Sequence, residues 1–324
     1  MNKLRLAVVG AGVFGRHHMR IISQSSRAEL AAVVDVDIAK AEEAAAPYKC
    51  PVFADATELV GNVDAAVVAA PTVAHRAVGC SLLERGIDVL VEKPIAADLA
   101  SADALVEAAR ANNRILQAGH LERFNPAVTA MRACVTVPLF FEIHRLSLFT
   151  PRSLDVDVVL DLMIHDLDIV LSLTGVMPEE VRAAGISILS QKVDIANVRL
   201  AFPGGCVANL TASRVSTERV RKLRLFQPNE YISIDYGKQE GVVVSVNEQR
   251  KIGFRPVLSV KDEPLRLEME NFLDSITART RPLVAGEDAR RALQLALMID
   301  EQMEEHRQVV LNTLKSATPP TRTL

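Results

Sequence analysis

An apolar run that ends in three spaced glycines constrains this chain more than any other stretch. Leu4-Arg-Leu-Ala-Val-Val9 leads directly into Gly10-x-Gly12-x-x-Gly15, and a helix-compatible segment follows. The order matters, because this glycine spacing is informative only between a strand and a helix. Gly10 permits the tight turn, Gly12 lets a pyrophosphate approach the backbone, and Gly15 lets the helix pack against the strand. The helix start at Val13 and Phe14 then offers unpaired N–H groups and a positive dipole end to phosphates. Glycine-rich turns also end ordinary strands. Here the flanking strand and helix select a dinucleotide site.

The pattern continues to about residue 120. Phe14–Gln24 reads as a helix, Leu30–Val34 as an apolar strand ending at Asp35, and Ile38–Tyr48 as a second helix. Val52–Ala54, Val63–Ala69, Val89–Val91 and Ile115–Gln117 read as further strands, with helices over Thr72–Arg85 and Ser101–Asn112. Continuous apolar strands alternating with helices predict an α/β, doubly wound parallel sheet of the Rossmann kind, covered on both faces. The pattern then changes. Pro126–Ala133 reads as a short helix, Leu139–Phe149 as a long strand and Val158–Leu173 as a helix ending before Gly175. Five antiparallel strands are expected over Asn197–Phe202, Cys206–Ser213, Arg219–Phe226, Tyr231–Asp235 and Gly241–Val246. Glu268–Thr280 and Asp288–His306 are helical in pattern. The expected organisation is a dinucleotide-binding domain over 1–120, an α+β domain with an open, mainly antiparallel sheet over 121–315, and a loose tail over 316–324.

Composition removes several classes of function. At 324 residues, 49% of them hydrophobic, the chain has ample core for two domains. A formal net charge of −3 with no long basic block argues against nucleic acid. No apolar run is long enough to cross a bilayer, and the N-terminal one ends in the glycine turn rather than a cleavage site. Cys50, Cys80, Cys134 and Cys206 have no metal spacing and fit a reduced, cytoplasmic protein. No metal site is expected.

The remaining chemistry lies at strand ends and on one helix. Asp35 follows Gly15 by 20 residues and ends the second strand, where a carboxylate accepts from ribose hydroxyls and repels a 2′-phosphate. It favours NAD over NADP, and Asp37 can share the task. Ala70-Pro71-Thr72 ends the fourth strand, at the edge where parallel sheets bind ligands. Thr72 and His75 are candidate cofactor contacts there, although Thr72 serves equally as a helix cap and His75 as a first-turn surface residue. Glu92-Lys93-Pro94 ends the next strand. Lys93 can polarise a substrate oxygen, although a strand-end lysine paired with Glu92 fits the spacing as well.

Asp161 and His165 stand at i and i+4 and share a helix face. A neutral imidazole is suited to take a hydroxyl proton, with the carboxylate orienting the ring. The surrounding Asp155, Asp157, Asp166 and Asp168 admit a carboxylate metal site or a solvated helix start as rival readings. His120, Arg123 and Asn125, between the last parallel strand and Pro126, suit a polar ligand, or a capped hinge with Pro126 at the first helical position. Arg214, Arg219, Arg221, Lys222 and Arg224 read as mostly solvated or at a subunit contact, with one or two able to meet a phosphate.

Four of these features together resemble the Gfo/Idh/MocA family: Gly10–Gly15, Ala70-Pro71-Thr72 with His75, Glu92-Lys93-Pro94, and Asp161-x-x-x-His165. The resemblance spans essentially the whole chain. It implies NAD as cofactor, Lys93, Asp161 and His165 as catalytic residues, a Lys93–Pro94 bond that is often cis, and a homo-oligomer, dimer or tetramer, formed through the open sheet. Gly119-His120-x-x-Arg123-Phe124-Asn125-Pro126, with Phe141-Glu142-x-x-Arg145 and Asp157–Asp168, is similar to the branch acting on UDP-N-acetyl sugars. That likeness implies oxidation of the 3-hydroxyl of UDP-N-acetylglucosamine, with His120, Arg123, Asn125 and Arg152 joining the catalytic residues in substrate binding. The keto product would pass to a PLP aminotransferase and toward an amide-linked lipid A. Two alternatives remain: a dehydrogenase or ketoreductase of a free polyol such as inositol, and a regulator that senses dinucleotide without turnover.

Overall fold

The structure, a computed structural model, describes residues 3–150 and 156–316. The chain divides into two compact units: 1–129 with 260–293, and 130–259 with 294–324.

In the first unit the strands are β1 (Leu4–Val9), β2 (Ala28–Val34), β3 (Val52–Phe53), β4 (Ala65–Val68), β5 (Asp88–Glu92) and β6 (Leu116–Gly119). Helices α1 (Val13–Gln24), α2 (Ile38–Ala45), α3 (Thr72–Glu84) and α4 (Leu99–Ala111) fall between them, and α5 (Pro126–Arg132) follows. The strands pair in parallel in the order β3-β2-β1-β4-β5-β6. The order reverses direction between β1 and β4, so this sheet has the switch-point edge at which doubly wound folds bind nucleotides.

The second unit is built on an eight-stranded sheet, β14-β13-β12-β11-β7-β10-β9-β8. Its strands are β7 (Phe140–Leu148), β8 (Glu180–Ile186), β9 (Ile195–Ala201), β10 (Val207–Ser216), β11 (Val220–Gln227), β12 (Glu230–Asp235), β13 (Glu240–Val246) and β14 (Ile252–Pro256), with α6 (Ile164–Thr174) between β7 and β8. All pairings are antiparallel except β7 with β10. β8 and β14 were not expected from the sequence. Glu-Val-Arg-Ala-Ala-Gly-Ile is too short in apolar side chains to announce a strand, and β14 is exposed along its whole length. The helix expected over 158–173 is also not uniformly α. Its first turn, Val159–Met163, is π-wound, with the Ile164 N–H donating to the Val159 carbonyl five residues back.

Two late helices complete the chain, α7 (Pro264–Ala278) and α8 (Gly286–Ser316). The sequence placed α7 in a domain running from 121 to 315, whereas it packs in the first unit. Met269, Phe272, Leu273 and Ile276 enter one core with Leu6, Val8, Met19, Ile22 and Val33. Burying side chains of this size stabilises by roughly 1.5–3 kcal/mol each, which draws a sequence-distant helix onto the parallel sheet. In α8, residues through Leu293 group with the first unit and the remainder with the second. Among the described residues no helix is long and apolar enough to cross a membrane. The tail beyond 316 lies outside the described residues.

Within the second unit, α8 carries Asp300, half-buried against Asp157. Burial, the charge of Asp157 and a hydrogen bond donated to it push the Asp300 carboxyl up to about 8. The folded chain thus keeps a proton that the unfolded chain releases near 3.8, so stability falls as pH rises through that window. Asp300→Asn should flatten this dependence and melt above the parent at about pH 8. Melting curves that run parallel from acid to alkaline pH would contradict the assignment.

Candidate active site

The glycine turn is shaped by close approach. Gly10 has φ +103°, and a Cβ added there would lie 2.5 Å from the Ala69 carbonyl oxygen. A Cβ on Gly15 would lie 1.8 Å from the Gly10 oxygen, whereas one on Gly12 meets nothing within 4 Å. Gly10 and Gly15 therefore satisfy the fold, and Gly12 leaves space for a ligand. Gly12 caps α1 without a side chain, and Val13 and Phe14 open the helix with exposed side chains. This is the geometry that admits a pyrophosphate.

Asp35 stands beside the turn. Its carboxylate accepts from the Ala11 N–H at 2.7 Å and the Asp37 N–H at 3.1 Å, with the Lys40 ammonium 3.6 Å away. Burial works against ionisation, but these donors outweigh it and hold the carboxyl below its ordinary range. Asp37 itself is engaged as the cap of α2, accepting from the Lys40 N–H. A cleft of about 450 Å³ runs from Gly10 and Asp35 past Ala70 and Pro71 to Ser81. The Asp35 carboxylate is one of the few charged groups lining it.

Thr72 begins α3 without capping it through its side chain. His75 is buried, which removes the surface reading of that residue. Its ring nitrogens lie 3.0 Å from the Pro94 oxygen and 2.8 Å from the Ala70 oxygen, bracing the ends of β4 and β5. Burial, outweighing those carbonyls, moves His75 below its ordinary value toward the neutral ring. The Lys93–Pro94 peptide is cis. Lys93 is half-buried, and the Glu92 carboxylate next to it is buried.

The junction residues are held more tightly than a free ligand shell. Asn125 caps α5, accepting from the Ala127 N–H and donating to Glu122, and the Arg123 guanidinium donates to the Leu283 carbonyl at 3.1 Å. His120 is buried. The capped-hinge alternative thus describes Asn125.

In the second unit, Asp157 accepts from the N–H groups of Val159 and Leu160, which starts the π turn carrying Asp161. Asp161 is half-buried and His165, one residue into α6, is buried. Next to it, Asp166 forms a two-pronged ion pair with Arg145 of β7, at 2.7 and 2.9 Å, with both side chains buried. Asp166 is therefore neither a metal ligand nor a solvated helix-start residue; it ties the helix to the sheet. Arg214 departs from expectation too. It is buried, donating to the carbonyls of Val156 and Val193 beside Asp194, so it is not a surface cation awaiting phosphate. Arg152 and Asp155 lie outside the described residues.

Sequence reasoning missed His18, Gln117 and Glu268, all buried in the first unit. The available signal was a polar side chain on the apolar face of its element, which periodicity treats as noise.

A glycine-bounded nucleotide cleft in a doubly wound sheet, followed by a unit with a large open sheet, defines a two-part dinucleotide-dependent oxidoreductase. The family model described as an oxidoreductase family with an NAD-binding Rossmann fold matches residues 4–120, and that of the GFO/IDH/MocA C-terminal domain matches 128–227. The chain belongs to the Gfo/Idh/MocA family of NAD-binding oxidoreductases. It is 37% identical to a UDP-N-acetylglucosamine 3-dehydrogenase from Acidithiobacillus ferrooxidans, covering 94% of this chain and 98% of that one. A crystal form of that enzyme superposes with a TM-score of 0.88, at 36% identity over 94% of this chain and 99% of the other. A myo-inositol 2-dehydrogenase from Thermotoga maritima is 27% identical, over 95% and 98% of the two chains.

The glycines separate fold from binding. Gly12→Ala should fold with a melting temperature within about 2 °C of the parent, yet bind NAD about tenfold or more weakly, because its Cβ enters only ligand space. Gly15→Ala should lose stability itself. Equal NAD affinity in Gly12→Ala and the parent, by fluorescence titration, would refute the placement.

Proposed function

We propose that this chain oxidises the 3-hydroxyl of a UDP-N-acetyl sugar, UDP-N-acetylglucosamine, to the 3-keto sugar. The observation that carries the reading is near-full-length similarity to an enzyme named for that reaction, with Lys93, Asp161 and His165 all present. NAD supplies the hydride acceptor when bound, held by Gly10–Gly15 and Asp35. His165 takes the hydroxyl proton, Asp161 orients the imidazole, and the Lys93 ammonium stabilises the charge that develops on oxygen. The burial of His165 and the Arg145–Asp166 tie beside it support this role, since a base works only from a fixed position.

Of the junction residues, His120 and Arg123 are proposed for the sugar nucleotide, with Arg152. Asn125 has its capping task. The free-polyol reading rests on more distant relatives, and the regulator reading has no observation in its favour. In the cell we place the enzyme in the cytoplasm as a homo-oligomer, upstream of a PLP aminotransferase that turns the ketone into an amine.

Incubation with NAD and UDP-N-acetylglucosamine should generate the absorbance of reduced cofactor. Lys93→Ala and His165→Ala should each lower kcat by about 10²-fold or more while NAD still binds. Full activity in either variant would sink the mechanism. UDP alone should raise the melting temperature; no shift with UDP, combined with turnover of inositol, would transfer the assignment to the polyol class.

A further inference from the structure

A buried polar cluster lies beneath the Lys93 turn, and the proton and hydride transfers described above do not use it. His18 of α1, Glu92 of β5 and Glu268 of α7 bring ligand-type atoms within 4.8 Å of one another, and all three are buried. His18 Nε2 donates to Glu92 Oε1 at 2.8 Å. The other oxygen, Oε2, accepts the main-chain N–H of Lys93 at 3.2 Å. Gly119 on the neighbouring strand makes room for this carboxylate, since a Cβ there would lie 2.9 Å from Oε2 and 3.1 Å from the Glu92 Cα. Gln117, two residues earlier, donates to the main-chain oxygen of Glu268 at 3.0 Å. Among the described residues the Glu268 carboxyl has no hydrogen-bond partner on either oxygen, and its side chain is fully buried.

Two carboxylates cannot both be charged in so dry a place without severe cost. Burial, reinforced by the charge of Glu92, holds the Glu268 carboxyl well above its ordinary value and favours its protonated form. Burial acts on Glu92 in the same sense, but the hydrogen bond and charge of His18, with the Lys93 ammonium and N–H, reverse it and keep Glu92 ionised. The result is an asymmetric pair. The charge is favoured on Glu92, which His18 meets at one oxygen and the Lys93 N–H at the other.

We propose that His18 and Glu268 are positioning residues for Lys93: His18 fixes the Glu92 carboxylate in the orientation that holds the Lys93 backbone, and the uncharged Glu268 side chain closes the pocket against that pair. The inference rests on Lys93 acting at the reacting oxygen. An acidic or displaced side chain at 268 would compete for His18 and repel Glu92, loosening the lysine without touching substrate or cofactor.

The test uses the full chain loaded with NAD. His18→Leu should lower kcat about tenfold or more, with KM for the sugar nucleotide and the NAD affinity changed less than about twofold. His18→Gln, which keeps an N–H donor, should recover much of the loss. Glu268→Ala should behave like His18→Leu, and Glu268→Gln, of equal size without charge, should restore kcat to within about threefold of the parent. Amide hydrogen exchange over residues 92–95 should quicken about tenfold in His18→Leu and Glu268→Ala, and return toward the parent in the two glutamine variants. If His18→Leu fails to fold, Glu92→Gln should give the same kcat loss and faster exchange. Unchanged exchange at 92–95 would overturn the proposal, as would losses of kcat, KM and NAD affinity in equal proportion. One equivalent of bound metal in the purified parent, absent from Glu268→Gln, would also overturn it. Exchange is read without substrate, so a parent that oxidises no UDP-sugar would refute the assigned reaction while leaving this positioning role decided.

Discussion

Where β1 gives way to α1, two backbones pass too close for any side chain. The Gly15 Cα sits over the Gly10 carbonyl, which leaves no room for a Cβ, and Gly10 is pressed against the Ala69–Ala70 peptide in turn. That contact fixes the helix against the sheet at the switch point between β1 and β4. From it follow the open face at Gly12, the Ala11 N–H that ties down Asp35, and the inward aim of His18 one turn later. The same turn therefore borders both the open face at Gly12 and, through His18, the underside of the Lys93 turn.

The two units fix the side chains proposed for catalysis by different physics. In the first, Lys93 sits on a turn braced from several sides, by His75 on the Pro94 carbonyl and by Glu92 on the Lys93 N–H. In the second, His165 stands next to a buried ion pair, Arg145 to Asp166, whose two side chains meet in two parallel hydrogen bonds. Such pairs give little net stability, because desolvation offsets their attraction. Their value here is geometric: a planar guanidinium gripping a carboxylate in two places fixes the rotation of α6 about its axis. The π turn that precedes it, begun by the Asp157 cap, adjusts where Asp161 falls relative to that helix.

Much of this was legible in the residues. The alternation of apolar strands with helices gave the parallel sheet, and the spacing from Gly15 to Asp35 gave the cofactor preference. Other features were hidden for physical reasons. An i, i+4 pair is compatible with both α and π winding, so the π turn at Val159–Met163 leaves no mark in the pattern. Apolar periodicity says that α7 has a buried face but not which sheet receives it, which is why a helix 140 or so residues past the parallel sheet was assigned to the other domain. His75, Arg214, His18 and Glu268 are polar side chains buried by long-range packing, and apolar periodicity treats a polar residue on a buried face as noise.

The central claim is that this chain removes hydride from C3 of a nucleotide sugar. UDP-N-acetylglucosamine carrying deuterium only at C3, incubated with NAD and the enzyme, tests it most directly. The account predicts reduced nicotinamide bearing one deuterium and a sugar that has lost it, read by mass spectrometry of both products. Reduced nicotinamide without deuterium, formed at the same rate from labelled and unlabelled sugar, would contradict it.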